Sequence, residues 1–352
     1  MLDDLKYIHQ RDGQDALGIA ERQYQQLEHQ FEFTGDRLQV TDIVNVVYAG
    51  MGGSALAALL AKNWPGCKLP FEVCRQYNIP NYVSSNTLFI AASYSGNTEE
   101  TLAALAEAGV RGARTVVITQ GLPAGRQGGK LQEVATQKNY PHLQLPETGQ
   151  PRYAVMANLK ALVVILEAVQ LSNQAQAAEQ MEQAASFLQF ATKVWLPTVP
   201  TSQNPAKKLA LELAGKSPAI YAGPLLAPAA YKWKINFNEN AKNVAWWNEL
   251  PEFDHNELIG WSSHPTQKPY EIIELRSKLE HPRVQKRFEV GEKLLSGLRP
   301  APNVVEVQGE TLLEQLLWAI NFGDFVSIYL ALLNNLNPTP VDLVERFKKE
   351  LD

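Results

Sequence analysis

From Asp42 onward the chain switches repeatedly between short apolar runs and longer helical stretches, and this alternation restricts the fold more than any other feature of the sequence. IVNVVYAG, FEVCRQY, TLFIAAS, RTVVIT and HLQLP read as strands, with SALAALLAKN, TEETLAALAEAG and KLQEVATQ as helices among them. Strands alternating with helices predict a parallel sheet joined by crossover helices. Residues 152–170 then read as a long buried helix, and 174–196, rich in Gln and Ala, as a polar connecting helix. A second alternation starts at Asn204, with NPAKKLALELAG as a helix and strands expected at AIYAG, YEIIELR and NVVEVQ. Before the first sheet, Leu17, Ala20, Tyr24, Leu27 and Phe31 recur at helical spacing and predict one amphipathic helix bracing the first domain.

The expected organisation is a helical brace over 1–37, a first α/β domain over 38–171 and a connecting helix over 172–203. A second α/β domain over 204–340 and a C-terminal helix over 341–352 complete it. A length of 352 residues accommodates two such domains, and 45% apolar with 20% charged residues excludes a disordered chain. The net charge of −5, with no basic arm, argues against a nucleic-acid partner. Cys67, Cys74 and six scattered histidines form no metal-ligand spacing, and a reduced compartment fits them best. The N-terminal MLDDLKYIHQRDGQD has no apolar stretch resembling a signal peptide, and the apolar run ALVVIL before Glu167 is too short to span a bilayer. A cytoplasmic protein free of membrane is the expectation. GLPAGRQGG at 121–129 reads as a surface loop without chemistry.

Two turns carry the chemistry of the first domain. VNVVYAG runs into MGGSALAAL, a glycine turn that opens a helix, where unpaired N–H groups and the helix dipole favour an anion such as phosphate. Gly52, Gly53 and Ser54 are the candidate contacts. Read as Gly50-x-Gly52-x-x-Ala55 the turn also mimics a dinucleotide fingerprint, but Glu72, at about the required spacing of 20 residues, lies inside its strand rather than at its end. A tight turn with no ligand is the third reading. The second turn, SYSGNTEET, places Ser93, Ser95 and Thr98 at a strand end and helix start. Thr98 followed by Glu99 and Glu100 also reads as an ordinary N-cap with an acidic first turn.

The pair GMGGSA and SYSGNTEET resembles the sugar isomerase (SIS) domain, a doubly wound α/β unit that binds phosphorylated sugars. In the second half, YKWKINFNENAKNVAWWNELPEFDHNELIGW is similar to the signature of the bifunctional phosphoglucose/phosphomannose isomerases, supported by PRYAVMANL at 151–159 and the C-terminal GDFVSIYLALLNNLNPTPVDLVERFKKEL. The resemblance implies two SIS-type doubly wound parallel-sheet domains with flanking helices. The implied activity is aldose–ketose isomerisation of glucose 6-phosphate and mannose 6-phosphate with fructose 6-phosphate, without a metal.

It also implies roles for particular residues. Glu239 matches the base that moves a proton between neighbouring carbons, Arg152 the cation that stabilises the enediolate, and His255 the ring-opening histidine, reached from the partner chain of a homodimer. Lys348 resembles a lysine assisting ring opening, with Lys349 beside it as the competing assignment. Thr339 corresponds to a small hydroxyl residue admitting both C2 epimers. Read without the resemblance, Glu239 is a solvated helix glutamate, Arg152 a surface helix start and Thr339 a turn residue. His9, His29, His142, His264 and His281 read as surface residues, and Trp246 and Trp247 as interface or core. The competing functions are a non-catalytic sugar-phosphate-binding regulator and a phosphoglucose isomerase without mannose activity.

Overall fold

The computed structural model describes residues 1–38, 41–120, 129–263 and 269–351, so His264 and most of the 121–129 loop lie outside the described residues. The chain forms two compact units, one comprising Gln23–Ser186 and the other Met1–Arg22 with Phe187–Asp352.

After α1 (Leu5–Arg11), the single helix expected over 17–31 is instead α2 (Ala16–Glu21), a 3₁₀ turn at Arg22–Tyr24 and α3 (Gln25–Glu28). The break has a physical cause. The Ala20 carbonyl accepts from the side chain of Asn321 at 2.8 Å, whereas Gln26 donates to the Tyr153 carbonyl and accepts from the Ala157 N–H. The apolar stripe therefore serves two cores. Asp3 holds the start of the chain by accepting from Thr201 and from Lys207, whose ammonium is fully buried.

The Gln23–Ser186 unit is built on β1 (Asn45–Ala49), α4 (Gly52–Asn63), β2 (Phe71–Cys74), β3 (Thr87–Ser93), α5 (Glu99–Val110), β4 (Arg114–Gln120), α6 (Lys130–Gln137), β5 (His142–Leu145) and α7 (Val155–Ala168). Its sheet has the order β2-β1-β3-β4-β5, and every neighbouring pair is parallel. Every residue of β3 is buried, as a central parallel strand covered on both faces requires. Val47, Phe89, Val117 and Leu131 pack one face of the core. Strands and helices fall where the apolar periodicity placed them. His142, expected at the surface, is 4% exposed at the start of β5, where the Thr34 segment pairs with its backbone.

The second unit follows α8 (Ala177–Ala191) with α9 (Pro205–Leu213), β6 (Ser217–Ala222), α10 (Ala227–Glu239), β7 (Trp246–Glu249), α11 (Glu257–Gly260), β8 (Tyr270–Arg276), α12 (Pro282–Leu295), β9 (Asn303–Glu306), α13 (Leu312–Leu333) and α14 (Asp342–Leu351). The sheet order is β7-β6-β8-β9, again wholly parallel. Thr311 and Glu314 close a capping box at the start of α13, a motif whose loss costs about 0.5–2 kcal/mol. α13 is long and apolar enough to cross a membrane, but its most apolar window is 94% buried within the protein, which makes it a core helix. β7 was not anticipated from the sequence. It holds the tryptophan pair at the sheet edge, with Trp246 exposed against Tyr270 and Trp247 half-buried against Tyr231, so neither is a core residue.

Candidate active site

In an open parallel sheet, neighbouring strands whose crossovers run to opposite sides leave a crevice at their carboxyl ends, and ligands bind there. In the Gln23–Ser186 unit that switch point lies between β1 and β3. It is bounded by the two turns singled out in the sequence. Gly52 opens α4 with φ +48°, a left-handed conformation that favours glycine. Gly53 is required for a different reason, since a Cβ there would stand 2.6 Å from the Pro151 carbonyl oxygen. The two turns are joined directly, because the buried Ser54 Oγ accepts from the Tyr94 N–H at 3.2 Å.

Thr98 occupies the N-cap position of α5, yet its hydroxyl makes no capping bond and pairs with Ser93 Oγ at 2.8 Å. Ser95 Oγ lies 3.5 Å from Ser93 Oγ and is exposed. Met51 provides no side-chain cap for α4 either. Two helices of 12 residues thus begin at one crevice with no side-chain cap on their leading N–H groups, beside clustered hydroxyls. This arrangement suits a phosphate dianion, which supplies the acceptors that a cap would otherwise provide.

Arg152 is 1% exposed, which rules out the surface helix start. It sits in the 3₁₀ turn Pro151–Tyr153, the segment against which Gly53 packs, with its guanidinium over the Tyr153 ring at 4.7 Å and donating to Gln150 at 3.3 Å. Tyr94 ties the same region down by accepting from the Thr148 N–H at 2.7 Å. The structure thereby brings Gly52, Gly53, Ser54, Ser93, Ser95, Thr98 and Arg152 to one end of one sheet.

The second unit has the corresponding switch point between β6 and β8, but it is filled from within. The buried Glu280 carboxylate accepts from the Leu225 N–H at 2.7 Å, just before the N-terminus of α10, and presses on Gly223. Burial raises its pKa, opposed by the backbone N–H groups that it accepts from. A phosphate entering here would meet a carboxyl group, so the two sheets are not equivalent as anion sites. Leu225 and Glu280 are 55 residues apart, and no motif in the sequence announces their contact.

Glu239 is the last residue of α10 and is half-buried in the wall of a cavity of about 930 Å³, within the range of small-molecule sites. Lys242, Asn337 and Pro340 line the same cavity, so the NPTP turn containing the buried Thr339 stands close to Glu239 within one unit. α10 is held beneath the cavity by a polar stripe. Lys232 and Asp324, both fully buried, pair at 2.5 Å, Asn236 joins them, and Asn240 donates to Ser327 at 2.9 Å. Removing one partner of such a pair costs about 3–5 kcal/mol. His255 ends the 3₁₀ turn Glu252–His255, is exposed, and does not line the Glu239 cavity. Lys348 lies exposed on α14, paired with Glu345. The structure therefore groups Glu239 with Thr339 and leaves His255 and Lys348 apart from them.

The chain is 34% identical over 323 residues to the bifunctional phosphoglucose/phosphomannose isomerase of Caldicellulosiruptor bescii, covering 89% of this chain and 91% of the relative. The chain belongs to the bifunctional phosphoglucose/phosphomannose isomerase family. The family member from Aquifex aeolicus is 30% identical, over 92% of this chain and 95% of its own length. Residues 202–351 match the family described as the bacterial phospho-glucose isomerase C-terminal SIS domain. A crystal structure of a glucose-6-phosphate isomerase like protein from Thermus thermophilus superposes with a TM-score of 0.63 at 19% identity, covering 99% of this chain and 98% of that one. At that identity the likeness shows the shared SIS fold. The two α/β domains expected from the sequence are thus those of this family.

Proposed function

We propose that this protein interconverts glucose 6-phosphate and mannose 6-phosphate with fructose 6-phosphate through an enediol intermediate. The observation that carries the reading is the crevice at the β1–β3 switch point, where two uncapped helix starts and the Ser93–Thr98 hydroxyl pair lie beside a fully buried arginine, in a chain whose family carries this activity by name. Gly52, Gly53, Ser54, Ser93, Ser95 and Thr98 bind the substrate phosphate. Glu239 removes the proton from C2 of the aldose, and the C2–H electron pair becomes the C1–C2 double bond of the enediolate as the carbonyl oxygen takes up charge. Transfer of the O2 proton to O1 and return of the carbon proton to C1, with C2–O2 becoming the carbonyl, gives the ketose. Because the enediolate is planar at C2, redelivery to either face of C2 gives the glucose or the mannose epimer, and Thr339 is the residue that leaves room for both.

Arg152 supplies the fixed positive charge for the enediolate oxygen, where a preoriented cation acts without reorganisation at the moment of reaction. His255 opens the sugar ring and reaches the site from a second copy of the chain in a homodimer, a role compatible with its exposure. Lys348 assists that step. The protein acts in the cytoplasm, on hexose phosphates alone, without a cofactor. Incubation with glucose 6-phosphate in deuterated water tests the reading. Fructose 6-phosphate should form first, followed by mannose 6-phosphate labelled at C2. Fructose 6-phosphate without any mannose epimer would restrict the protein to phosphoglucose isomerisation, and binding without turnover would make it a sugar-phosphate sensor.

A further inference from the structure

Three residues beyond Glu239 the chain turns through a left-handed residue that is not glycine. Lys242 has φ +51°, a conformation that side chains other than those of Asn, Asp and Gly rarely adopt. The side chain of Lys242 is fastened at both ends of a gap. Its ammonium donates to the Asn240 carbonyl at 3.2 Å, directly after the helix that ends in Glu239, and to the carbonyls of Asn337 and Pro338 at 2.8 and 3.1 Å, directly before Thr339. An ammonium has three N–H donors, and these three carbonyls match them in number. Supporting bonds fix the same two strands of chain: Asn238 donates to the Asn243 carbonyl, Asn334 to the Ala241 carbonyl, and the Thr339 N–H to Asn337 Oδ1. Glycine would satisfy the backbone here, but only a long donor side chain spans to the NPTP turn.

We infer that Lys242 is a positioning residue that sets the placement of Glu239 relative to Thr339, and so both the efficiency of proton transfer and the balance between the two C2 epimers. The inference rests on Glu239 acting as the base. It assigns Lys242 no contact with substrate: its role passes through the two segments it joins.

Lys242→Gly is the informative variant, because glycine relaxes the left-handed turn while deleting the clamp, and Lys242→Arg retains a donor of similar reach. Kinetics on glucose 6-phosphate and mannose 6-phosphate should show kcat for Lys242→Gly reduced by about tenfold or more with KM within about threefold, since misplacing a reacting group acts on the chemical step. The ratio of kcat/KM between the two substrates should shift by about threefold or more, with Lys242→Arg recovering part of both effects. Thermal unfolding of each variant gives the folded fraction. Unchanged kcat and ratio, or an equal loss on both substrates that tracks the folded fraction, would overturn the inference. If the wild-type protein turns over none of the hexose phosphates, the isomerase reading fails by itself. Amide exchange at Thr339 then decides the clamp: faster exchange in Lys242→Gly than in wild type supports it, and equal exchange refutes it.

Discussion

Gly53 faces the Pro151 carbonyl so closely that a methyl group on Gly53 would stand 2.6 Å from the oxygen and 3.1 Å from the Arg152 backbone nitrogen. The glycine turn and the arginine are therefore one packed unit, although 98 residues separate Gly53 from Pro151 in the chain. The contact explains why a glycine stands inside the first turn of α4, where a larger residue would drive the Arg152 segment outward.

Gly53→Ala is accordingly expected to act on catalysis as well as folding. Overpacking of this kind costs about 1–3 kcal/mol of stability. Displacing Arg152 should also lower kcat/KM by about tenfold or more, because a fixed charge loses effect when moved from the developing oxyanion. Steady-state kinetics beside a denaturant titration separate the two effects. Full activity per folded molecule would detach Arg152 from the chemistry.

The Ser93–Thr98 pairing predicts a different signature. Ser95→Ala and Thr98→Val remove hydroxyls that the proposal assigns to the phosphate, so KM for hexose phosphates should rise by about tenfold or more while kcat changes little. Free glucose and mannose should be very poor substrates. Equal competition by phosphorylated and free sugars in a binding titration would count against the cradle.

If Glu239 is the base as proposed, Glu239→Gln preserves size and removes it, and kcat is expected to fall by about 10² or more with binding retained. His255→Ala should be nearly inactive on closed-ring substrate. In a dimer that shares its sites, mixing these two variants creates one site with both defects and one with neither, so activity should return. Absence of recovery after demonstrated subunit exchange would place His255 in its own chain's chemistry or outside it.

His142 predicts an acid-sensitive first unit. Burial lowers its pKa to about 4, against an ordinary value of 6.5, and its Nε2 has no hydrogen-bond partner among the described residues. Because the folded pKa lies below the unfolded one, the unfolded chain binds the proton more tightly. Stability is unaffected by this group above about pH 6.5 and falls as the pH drops toward 4, by about 3 kcal/mol in all. Replacing His142 with Leu should flatten that part of the stability profile in urea titrations between pH 7 and 4. An unchanged slope would show that other groups control the acid limb.

The strands around the first crevice were legible because their determinants are local. TLFIAAS is apolar throughout since β3 is covered on both faces, and the glycine turn follows its strand directly in sequence. Both turns at the first crevice were legible for the same reason, since each directly follows the strand it ends. What escaped the reading depends on contacts distant in the chain. The apolar stripe of 17–31 shows a buried face but not which core receives it, and hydrogen bonds from Asn321 and to Tyr153 divide it. His142 looked solvent-facing because nothing in the sequence announces that the segment at Thr34, 108 residues earlier, pairs beside it.

The sequence by itself determined the α/β class, the order of its elements and the chemical types gathered at each turn, since periodicity, glycine placement and helix starts act over a few residues. Tertiary structure alone decided how two similar crevices differ. Glu280 reaches back across 55 residues to the Leu225 N–H and fills the second crevice, while Ser93 and Thr98 pair with each other and leave the first helix starts uncapped. Backbone N–H groups at a helix start donate to whichever acceptor the folded chain brings nearest, and that proximity is set by packing rather than by neighbours in sequence.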